Sequence, residues 1–311
     1  MKQINRVTLI GLGAMGVFFA PRLSEKLGAG FRVMAEGDRK DRLEQRGVTV
    51  NGINYRFPIV TPDTEEEPSD LIIIAVKGYD LLQALKDIKN QVGPDTILLP
   101  VLNGVESEQL TADAYGMEHV LYSFMRISVV MKDGKTDFDP NAGTIHFGDA
   151  KNDPEKLSEN VLAVKELFDR CGINYKIDPD MIRGIWFKFM CNVAENMTCA
   201  VFGIPFGAFQ KSEDANAIRR AAMWEVIHIA NKLGIDIGQT EIDRQEHTLK
   251  KLPYENKPST LQDLEAGKHT EADMFAGTVV RLGKELKVDT PVCEFLYHGL
   301  RIIEDRLFGE I

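Results

Sequence analysis

Hydrophobic residues in the first part of the chain form short runs that alternate with helical patterns. Val7–Ile10 is followed by a glycine-rich turn and by apolar residues at helical spacing through Leu23, and Phe31–Ala35 is a second strand-like run. Leu71–Val76 and Thr96–Leu102 are uninterrupted apolar runs, typical of strands buried on both faces of a parallel sheet. The alternation of strands and helices predicts an α/β domain.

Weaker patterns predict the elements around these runs. The turn pair Asn51-Gly52 indicates a hairpin over Val48–Ile59, and the acidic stretch Thr61–Ser69 with its two prolines is typical of a solvated loop. The remaining predictions for this part of the chain are strands over 120–131, 144–147 and 173–177 and a helix over 154–171.

The pattern changes at Asp178-Pro179-Asp180. From Met181 onward the apolar residues keep helical spacing, with short capping sequences between them and almost no strand signal. We therefore predict two domains, one over residues 1–178 and an all-helical one over residues 179–311.

One helix of the second domain has an unusual distribution of polar residues. Ile185–Met197 is apolar almost all round, which indicates burial, yet Lys188, Asn192 and Asn196 form a polar stripe at i, i+4 spacing. The stripe could simply face solvent. Since large apolar side chains crowd it, a bound polar substrate is the better explanation. Loss of hydration would lower the pKa of Lys188 toward the working pH and suit the lysine to proton transfer.

The turn after the first strand reads Gly11-Leu12-Gly13-Ala14-Met15-Gly16. In a dinucleotide-binding turn Gly11 makes the tight turn, Gly13 lets a pyrophosphate approach the backbone, and Gly16 lets the helix pack on its strand. The pyrophosphate binds the positive end of the helix dipole. A structural glycine turn could give the same letters, but the strand before and the helix after favour dinucleotide binding.

Polar residues follow three of the predicted strands. Glu36 ends the second strand and suits the hydroxyls of an adenine ribose, whereas Arg39 could accept a 2′-phosphate there. Lys77 and Asn103 fall at the carboxyl ends of the next two strands, the edge where α/β sheets bind ligands, although each could merely face water.

Composition narrows the possible functions. A chain of 311 residues suits two domains, and a formal net charge of −10 argues against a general nucleic-acid or acidic-membrane surface. The four cysteines show no Cys-x-x-Cys pair and no zinc-like spacing, which favours buried thiols and predicts no metal site. Met1–Arg6 lacks the apolar region of a signal peptide and no apolar run is long enough to span a membrane, so we expect a cytoplasmic protein.

In this order the motifs resemble those of the 2-dehydropantoate 2-reductase (ketopantoate reductase) family over nearly the whole chain. The resemblance rests on Gly11–Gly16, Ala75-Val76-Lys77, Leu102-Asn103-Gly104, Trp186-Phe187-Lys188 with Asn192 and Asn196, and Ser259–Asp263 with Thr270-Glu271. It implies a Rossmann-type parallel-sheet domain followed by a helical domain like the C-terminal domain of 6-phosphogluconate dehydrogenase. It also implies reduction of 2-dehydropantoate to pantoate, a step of pantothenate and coenzyme A biosynthesis, with NADPH as the usual cofactor.

The resemblance also implies roles for single residues. Lys188 resembles the proton donor, Asn192 and Asn196 resemble residues that orient the substrate, and Ser259 resembles the residue that holds its carboxylate. The remaining matches are Lys77 and Asn103, which resemble contacts to cofactor and substrate, and Glu271, which resembles the acid on the nicotinamide side. Judged without the resemblance, Ser259 and Glu271 are only helix-capping residues.

Two departures from the family pattern keep alternatives open. Glu36 stands where many members carry an arginine for the 2′-phosphate, which leaves NADH possible, and Phe206 stands where an asparagine can touch the substrate. The alternatives are a reductase of a different branched or bulkier 2-oxo acid using NADH, a related reductase of a 3-hydroxy acid or glycerol 3-phosphate, and a nucleotide-sensing regulator without catalysis. A homodimer through the C-terminal helices is a further possibility.

Overall fold

The computed structural model describes residues 2–127, 134–139, 141 and 143–311. The chain forms two compact units, of which the first ends at Ile182 and the second begins at Arg183. This division lies a few residues beyond the boundary that the sequence predicts at 178/179.

Eleven strands are found in the described part of the N-terminal unit. They are β1 (Val7–Ile10), β2 (Phe31–Met34), β3 (Val48–Val50), β4 (Ile53–Tyr55), β5 (Ile59–Val60), β6 (Leu71–Ile74), β7 (Ile97–Pro100), β8 (Tyr122–Arg126), β9 (Lys135–Thr136), β10 (Thr144–Gly148) and β11 (Tyr175–Lys176). The helices between them are α1 (Gly16–Leu27), α2 (Gly37–Arg46), α3 (Leu81–Asp87), α4 (Ser107–Tyr115) and α5 (Glu159–Cys171), with short 3-10 turns at Gly28–Gly30, Gly78–Asp80, Lys89–Gln91 and Met117–His119.

The main sheet has five parallel strands in the order β5-β2-β1-β6-β7. The apolar runs that the sequence shows supply its four longest strands, each buried along its whole length. β1 lies in the middle, and the strand order reverses direction between β1 and β6, so the loops after these two strands meet at a switch point. The predicted Rossmann-type sheet is confirmed.

Three smaller predictions for this unit need correction. The hairpin over Asn51-Gly52 joins β3 and β4 but ends at Tyr55, because Ile59 pairs with β2 in the main sheet. α5 begins only after Ser158, since the Ser158 hydroxyl accepts a hydrogen bond from the amide of Val161 and caps the helix there. The strand predicted over 120–131 begins only at Tyr122, and the end of the predicted range lies outside the described residues.

The acidic loop over 61–69 also does more than connect two strands. Arg32 is buried in the middle of β2, and its guanidinium pairs with Glu66 at 2.6 Å and donates to the Glu67 carbonyl. The composition of this loop had predicted that it is solvated. Because the buried charge of Arg32 needs partners, the loop is instead partly docked on the sheet.

The C-terminal unit is helical throughout, as predicted. Its helices are α6 (Met181–Cys191), α7 (Met197–Phe202), α8 (Glu213–Lys232), α9 (Gln239–Leu249), α10 (Ser259–Glu265), α11 (Thr278–Leu286) and α12 (Pro291–Phe308), with a 3-10 turn at Phe206–Gln210. Two π-helical turns interrupt the pattern: the first π-helix, Asn192–Asn196, joins α6 to α7, and the second π-helix, Asp273–Gly277, leads into α11.

Two properties inferred from composition can be compared with the structure. All four cysteines are buried, as expected. Within the part of the chain that the structure describes, no helix combines the length and the apolar character needed to cross a lipid bilayer.

Candidate active site

The glycines after β1 have different surroundings. Gly11 has a φ of +94°, and a Cβ there would lie 2.5 Å from the carbonyl of Ala75 on the loop after β6, so a side chain is excluded twice. A Cβ on Gly16 would lie 2.2 Å from the Gly11 carbonyl oxygen, so the start of α1 packs tightly on the turn. A Cβ on Gly13 would meet no atom within 4 Å, so the backbone faces open space there.

A cavity of about 410 Å³ lies in the N-terminal unit beside these glycines. Its lining comes from the ends of β1, β2 and β6, from the start of α2, from the 3-10 turn Gly78–Asp80 and from α3. Among the predicted residues it includes Gly11, Gly13, Glu36, Arg39 and Lys77. Strand ends supply most of this wall because the parallel strands terminate at one edge of the sheet. The other predicted members of the turn do not line it: Leu12 is buried and Met15 packs against the core.

Glu36 and Arg39 give the cavity opposite charges at one end. Glu36 precedes α2 in an extended conformation, is exposed, and makes no capping hydrogen bond to the helix. Partial burial of the Arg39 guanidinium lowers the pKa of Arg39, and repulsion from Arg42 lowers it further. Attraction to Asp80 raises the pKa and so opposes both effects. Arg39 still remains a cation near neutral pH, so an acidic and a basic group both border the cavity.

Lys77 and Asn103 lie beyond the strands to which the sequence assigns them. β6 ends at Ile74, and Lys77 precedes the 3-10 turn Gly78–Asp80. β7 ends at Pro100, and Asn103 lies in the following turn, outside the lining of the cavity. Both side chains are half-buried.

In the C-terminal unit the polar stripe crosses from α6 into the first π-helix. Lys188 and Asn192 are half-buried, whereas Asn196 is 7% exposed. The apolar residues around the stripe are buried, as the sequence predicts, including Phe187, Phe189 and Met190. The sequence did not predict the π-helical turn, although such turns are frequent at functional sites.

The other two predicted residues of this unit lie at, or just before, the first residue of a helix near the stripe. α10 contacts the first π-helix and α7, and the two π-helices contact each other. Ser259 is the first residue of α10 rather than its cap, because Pro258 holds the N-cap position and Ser259 is exposed. Glu271 is buried just before the second π-helix, and the neighbouring Thr270 hydroxyl accepts a hydrogen bond from the Ala272 amide.

Phe206 has a packing role that its sequence position does not reveal. Its ring packs against a small apolar cluster in the C-terminal unit, formed by Cys199, Phe209, Ala215 and Leu249. The ring is only half-buried, so part of it stays available to a ligand.

Sequence reasoning missed a buried ion pair on the first π-helix. One oxygen of Glu195 lies 3.3 Å from Nη1 of Arg219 on α8, and the other accepts a hydrogen bond of 2.8 Å from Gln245 on α9. Arg219 also contacts Glu246 at 3.1 Å and lies over the ring of Phe209. The signal in the sequence was an acidic residue within an otherwise apolar helix, which needs a buried partner.

Burial controls the ionisation of Glu195. Its two oxygens face donors, an arrangement that suits the carboxylate, but complete burial outweighs the attraction of Arg219 and raises the pKa of Glu195 from 4.5 to about 7. The neighbouring thiol of Cys199 has a raised pKa, through burial and through repulsion by Glu195.

The stability contribution of Glu195 is therefore expected to depend on pH. The folded chain keeps a proton that the unfolded chain releases between pH 4.5 and about 7, so this contribution is complete below that window and falls as the pH rises through it. The fall should be on the order of 3 kcal/mol. Urea unfolding of the wild type and of Glu195→Gln measures it, because only the wild type carries this slope. If the free energy of unfolding of the two proteins changed with pH in the same way, the raised pKa assigned to Glu195 would be wrong.

Two family models together account for most of the chain. The model of ketopantoate reductase PanE/ApbA matches residues 7–152, and the model of ketopantoate reductase PanE/ApbA, C terminal, matches residues 180–304. The chain belongs to the ketopantoate reductase family. It is therefore an NAD(P)-dependent oxidoreductase, a 2-oxo acid reductase of the ketopantoate reductase type.

Relatives of this ketopantoate reductase family member align over nearly their full length. The uncharacterized oxidoreductase YkpB of Bacillus subtilis (strain 168) is 25% identical over 299 residues, covering 95% of this chain and 98% of that protein. A 2-dehydropantoate 2-reductase of Streptococcus pyogenes serotype M3 is 26% identical over 298 residues, covering 93% and 95%. The ternary structure of D-mandelate dehydrogenase with NADH and anilino(oxo)acetate has a TM-score of 0.85 at 23% identity, covering 97% and 99%, which shows the shared fold.

The N-terminal unit of this reductase fits the dinucleotide that its family uses. Because Gly13 has no side chain, the space beside its backbone is open. Gly13 and Lys77 both border the cavity. The start of α1 follows Gly13 and carries the positive end of the helix dipole, which favours an anion such as a pyrophosphate. The backbone and charges in this cavity therefore suit a nicotinamide dinucleotide.

Proposed function

We propose that this protein reduces 2-dehydropantoate to pantoate with hydride from a reduced nicotinamide and with Lys188 as the proton donor. The observation that carries the proposal is the polar stripe of Lys188, Asn192 and Asn196 on a helix whose other faces are buried. The relatives named 2-dehydropantoate 2-reductase support the substrate, since they match more than nine-tenths of the chain.

In the proposed mechanism each unit contributes a separate part of the chemistry. A bound reduced nicotinamide would supply the hydride. Gly13 and the start of α1 would hold its pyrophosphate, and Glu36 would hold the adenine ribose. Asn192 and Asn196 orient the 2-oxo acid, Ser259 holds its carboxylate, and Lys188 donates a proton to the oxygen of the keto group as negative charge develops there. Asn103 and Glu271 would complete the contacts to substrate and nicotinamide.

For the cofactor we propose NADH in preference to the family's usual NADPH. Glu36 borders the cavity with an exposed carboxylate that makes no capping hydrogen bond, so it is suited to accept hydrogen bonds from ribose hydroxyls and to repel a 2′-phosphate. Arg39 could attract that phosphate, but Asp80 on the same wall offsets part of its charge.

Glu36→Gln is expected to shift the preference toward NADPH. Removing one negative charge near the 2′-phosphate should raise kcat/KM for NADPH about tenfold, because an exposed charge at contact distance contributes on the order of 1 kcal/mol or more. Efficiency with NADH should fall modestly, since an amide replaces the charged acceptor of the ribose hydroxyls. Initial rates with both cofactors measure the shift.

Glu44→Gln on the same helix is the matched control. Glu44 pairs with Lys40 on the surface of α2 and does not border the cavity. The ratio of kcat/KM with NADPH to kcat/KM with NADH, the cofactor ratio, should therefore stay unchanged. If Glu36→Gln and Glu44→Gln had the same cofactor ratio as the wild type, Glu36 would not be the determinant.

Initial rates with 2-dehydropantoate and with a bulkier aromatic 2-oxo acid, each with NADH and NADPH, test the proposed function. Efficient turnover of 2-dehydropantoate supports it. The second candidate, a bulkier 2-oxo acid, is favoured by the part-exposed ring of Phe206 and predicts the opposite ranking of substrates. Cofactor binding without turnover of either acid would indicate a nucleotide sensor.

A further inference from the structure

The first π-helix is held in place from outside its own helix. A π turn places one more residue in each hydrogen-bonded turn than an α-helix does, which is less favourable and persists where surrounding contacts compensate. The first π-helix packs against α7, α8, α10 and the second π-helix. Its own sequence, Asn-Val-Ala-Glu-Asn, contains one ionisable residue, Glu195.

Glu195 ties this turn to two other helices through buried groups. Its side chain is 4% exposed, and that of Arg219 is 1% exposed. The carboxylate joins α8 through Arg219 and α9 through Gln245. Each carboxylate oxygen has its own partner, so the carboxylate attaches the turn to both α8 and α9.

Arg219 is itself fixed by further contacts. Its Nε donates to Asn216 at 3.2 Å, its Nη2 pairs with Glu246 at 3.1 Å, and its guanidinium lies 5.4 Å from the centre of the Phe209 ring. With its donors engaged, Arg219 can change position only if several buried contacts break together. It therefore forms a rigid support for the π turn.

The turn that Glu195 fixes also carries two predicted substrate residues. Asn192 begins the first π-helix and Asn196 ends it, with Glu195 adjacent in sequence to Asn196. If the turn relaxed to α-helical hydrogen bonding, each turn would hold one residue fewer, and Asn196 would rotate relative to Lys188 on α6. We propose that Glu195, anchored by Arg219, is a positioning residue that keeps Asn196 and Asn192 in the arrangement that binds the 2-oxo acid. This inference rests on the proposed function of those asparagines.

The first test is hydrogen exchange, which needs no activity. Above about pH 7, where the Glu195 carboxyl of the wild type is ionised, the amides of the first π-helix should exchange at least about tenfold faster in Glu195→Gln, because the charged support is lost. The matched control is Glu285→Gln, since Glu285 makes a surface pair with Arg281 in the same unit. Unchanged exchange at the first π-helix in Glu195→Gln would overturn the proposal.

The second test separates positioning from general stability. Glu195→Gln should raise KM for the 2-oxo acid about tenfold and leave KM for the cofactor unchanged. In a protein that already carries Asn196→Ala, adding Glu195→Gln should not raise KM for the 2-oxo acid further. Additive effects of the two substitutions would overturn the positioning role. If Glu195→Gln does not fold, Arg219→Lys is measured instead, because it keeps the charge but shortens the reach to Glu195, and the same pattern is expected.

The two proposals fail in different ways. A wild-type enzyme that reduces no 2-oxo acid contradicts the proposed function, whereas the exchange measurement still shows whether Glu195 supports the first π-helix. A wild-type enzyme that is active, together with an unaltered KM in Glu195→Gln, contradicts only the positioning role.

Discussion

Replacing Lys188 with alanine is expected to lower kcat with the 2-oxo acid by about 10²–10⁴, the usual contribution of a general acid. Lys188 is half-buried on a helix whose surrounding residues are buried, so water replaces it poorly as a proton donor. Cofactor binding should be unaffected, because the candidate nucleotide cavity is lined by residues of the N-terminal unit. Steady-state kinetics and a cofactor titration measure the two effects.

Two further variants identify the property of Lys188 that matters. Lys188→Arg keeps the positive charge but is a poor proton donor because its pKa is too high, so kcat should stay low if proton transfer is the role. Lys284→Ala removes an exposed lysine of the same unit and should leave kcat unchanged. Near-normal turnover in Lys188→Ala would exclude the lysine as the acid.

Arg219→Ala is expected to lower the free energy of unfolding by about 3–5 kcal/mol, the typical cost of removing one partner of a buried ion pair. Glu195 would be left buried without a counter-charge, and the space beside the Phe209 ring would be empty. The loss should be smaller in acid than above about pH 7, because protonated Glu195 no longer needs the arginine. Urea unfolding at both pH values measures it.

The adjacent Arg220 provides the matched control. It also pairs with Glu246, but its side chain is 44% exposed, so Arg220→Ala should cost at most about 1 kcal/mol. Equal losses for the two arginines would show that the burial of Arg219 has no energetic consequence.

Hydrophobic patterning was enough to predict the layout of the fold. The apolar runs became the four longest strands of the parallel sheet, and the helical spacing after Met181 became an all-helical unit. These features are local, because a strand buried on both faces must be apolar throughout and a packed helix must repeat its apolar residues every three or four positions. Element ends were predicted less well, as at α5, where the cap at Ser158 rather than the pattern sets the start.

The sequence also indicated five of the residues that line the candidate nucleotide cavity. Gly11, Gly13, Glu36, Arg39 and Lys77 border one space because parallel strands end at a common edge, a rule that follows from strand order alone. It did not predict that Asn103 lies away from that space or that Ser259 starts α10 instead of capping it. Both depend on a few residues of turn geometry, which side-chain type does not specify.

By itself, the sequence determined the class of this protein: the parallel sheet, the helical second unit, the glycine turn and the polar stripe with Lys188. Only the tertiary structure decided that Asn192 and Asn196 lie on a π-helix and that Glu195 is held by Arg219 and Gln245. The physical reason is distance along the chain. Patterns report which neighbours in sequence share a face, whereas the partner of a buried charge comes from another helix and is known only once the helices have packed.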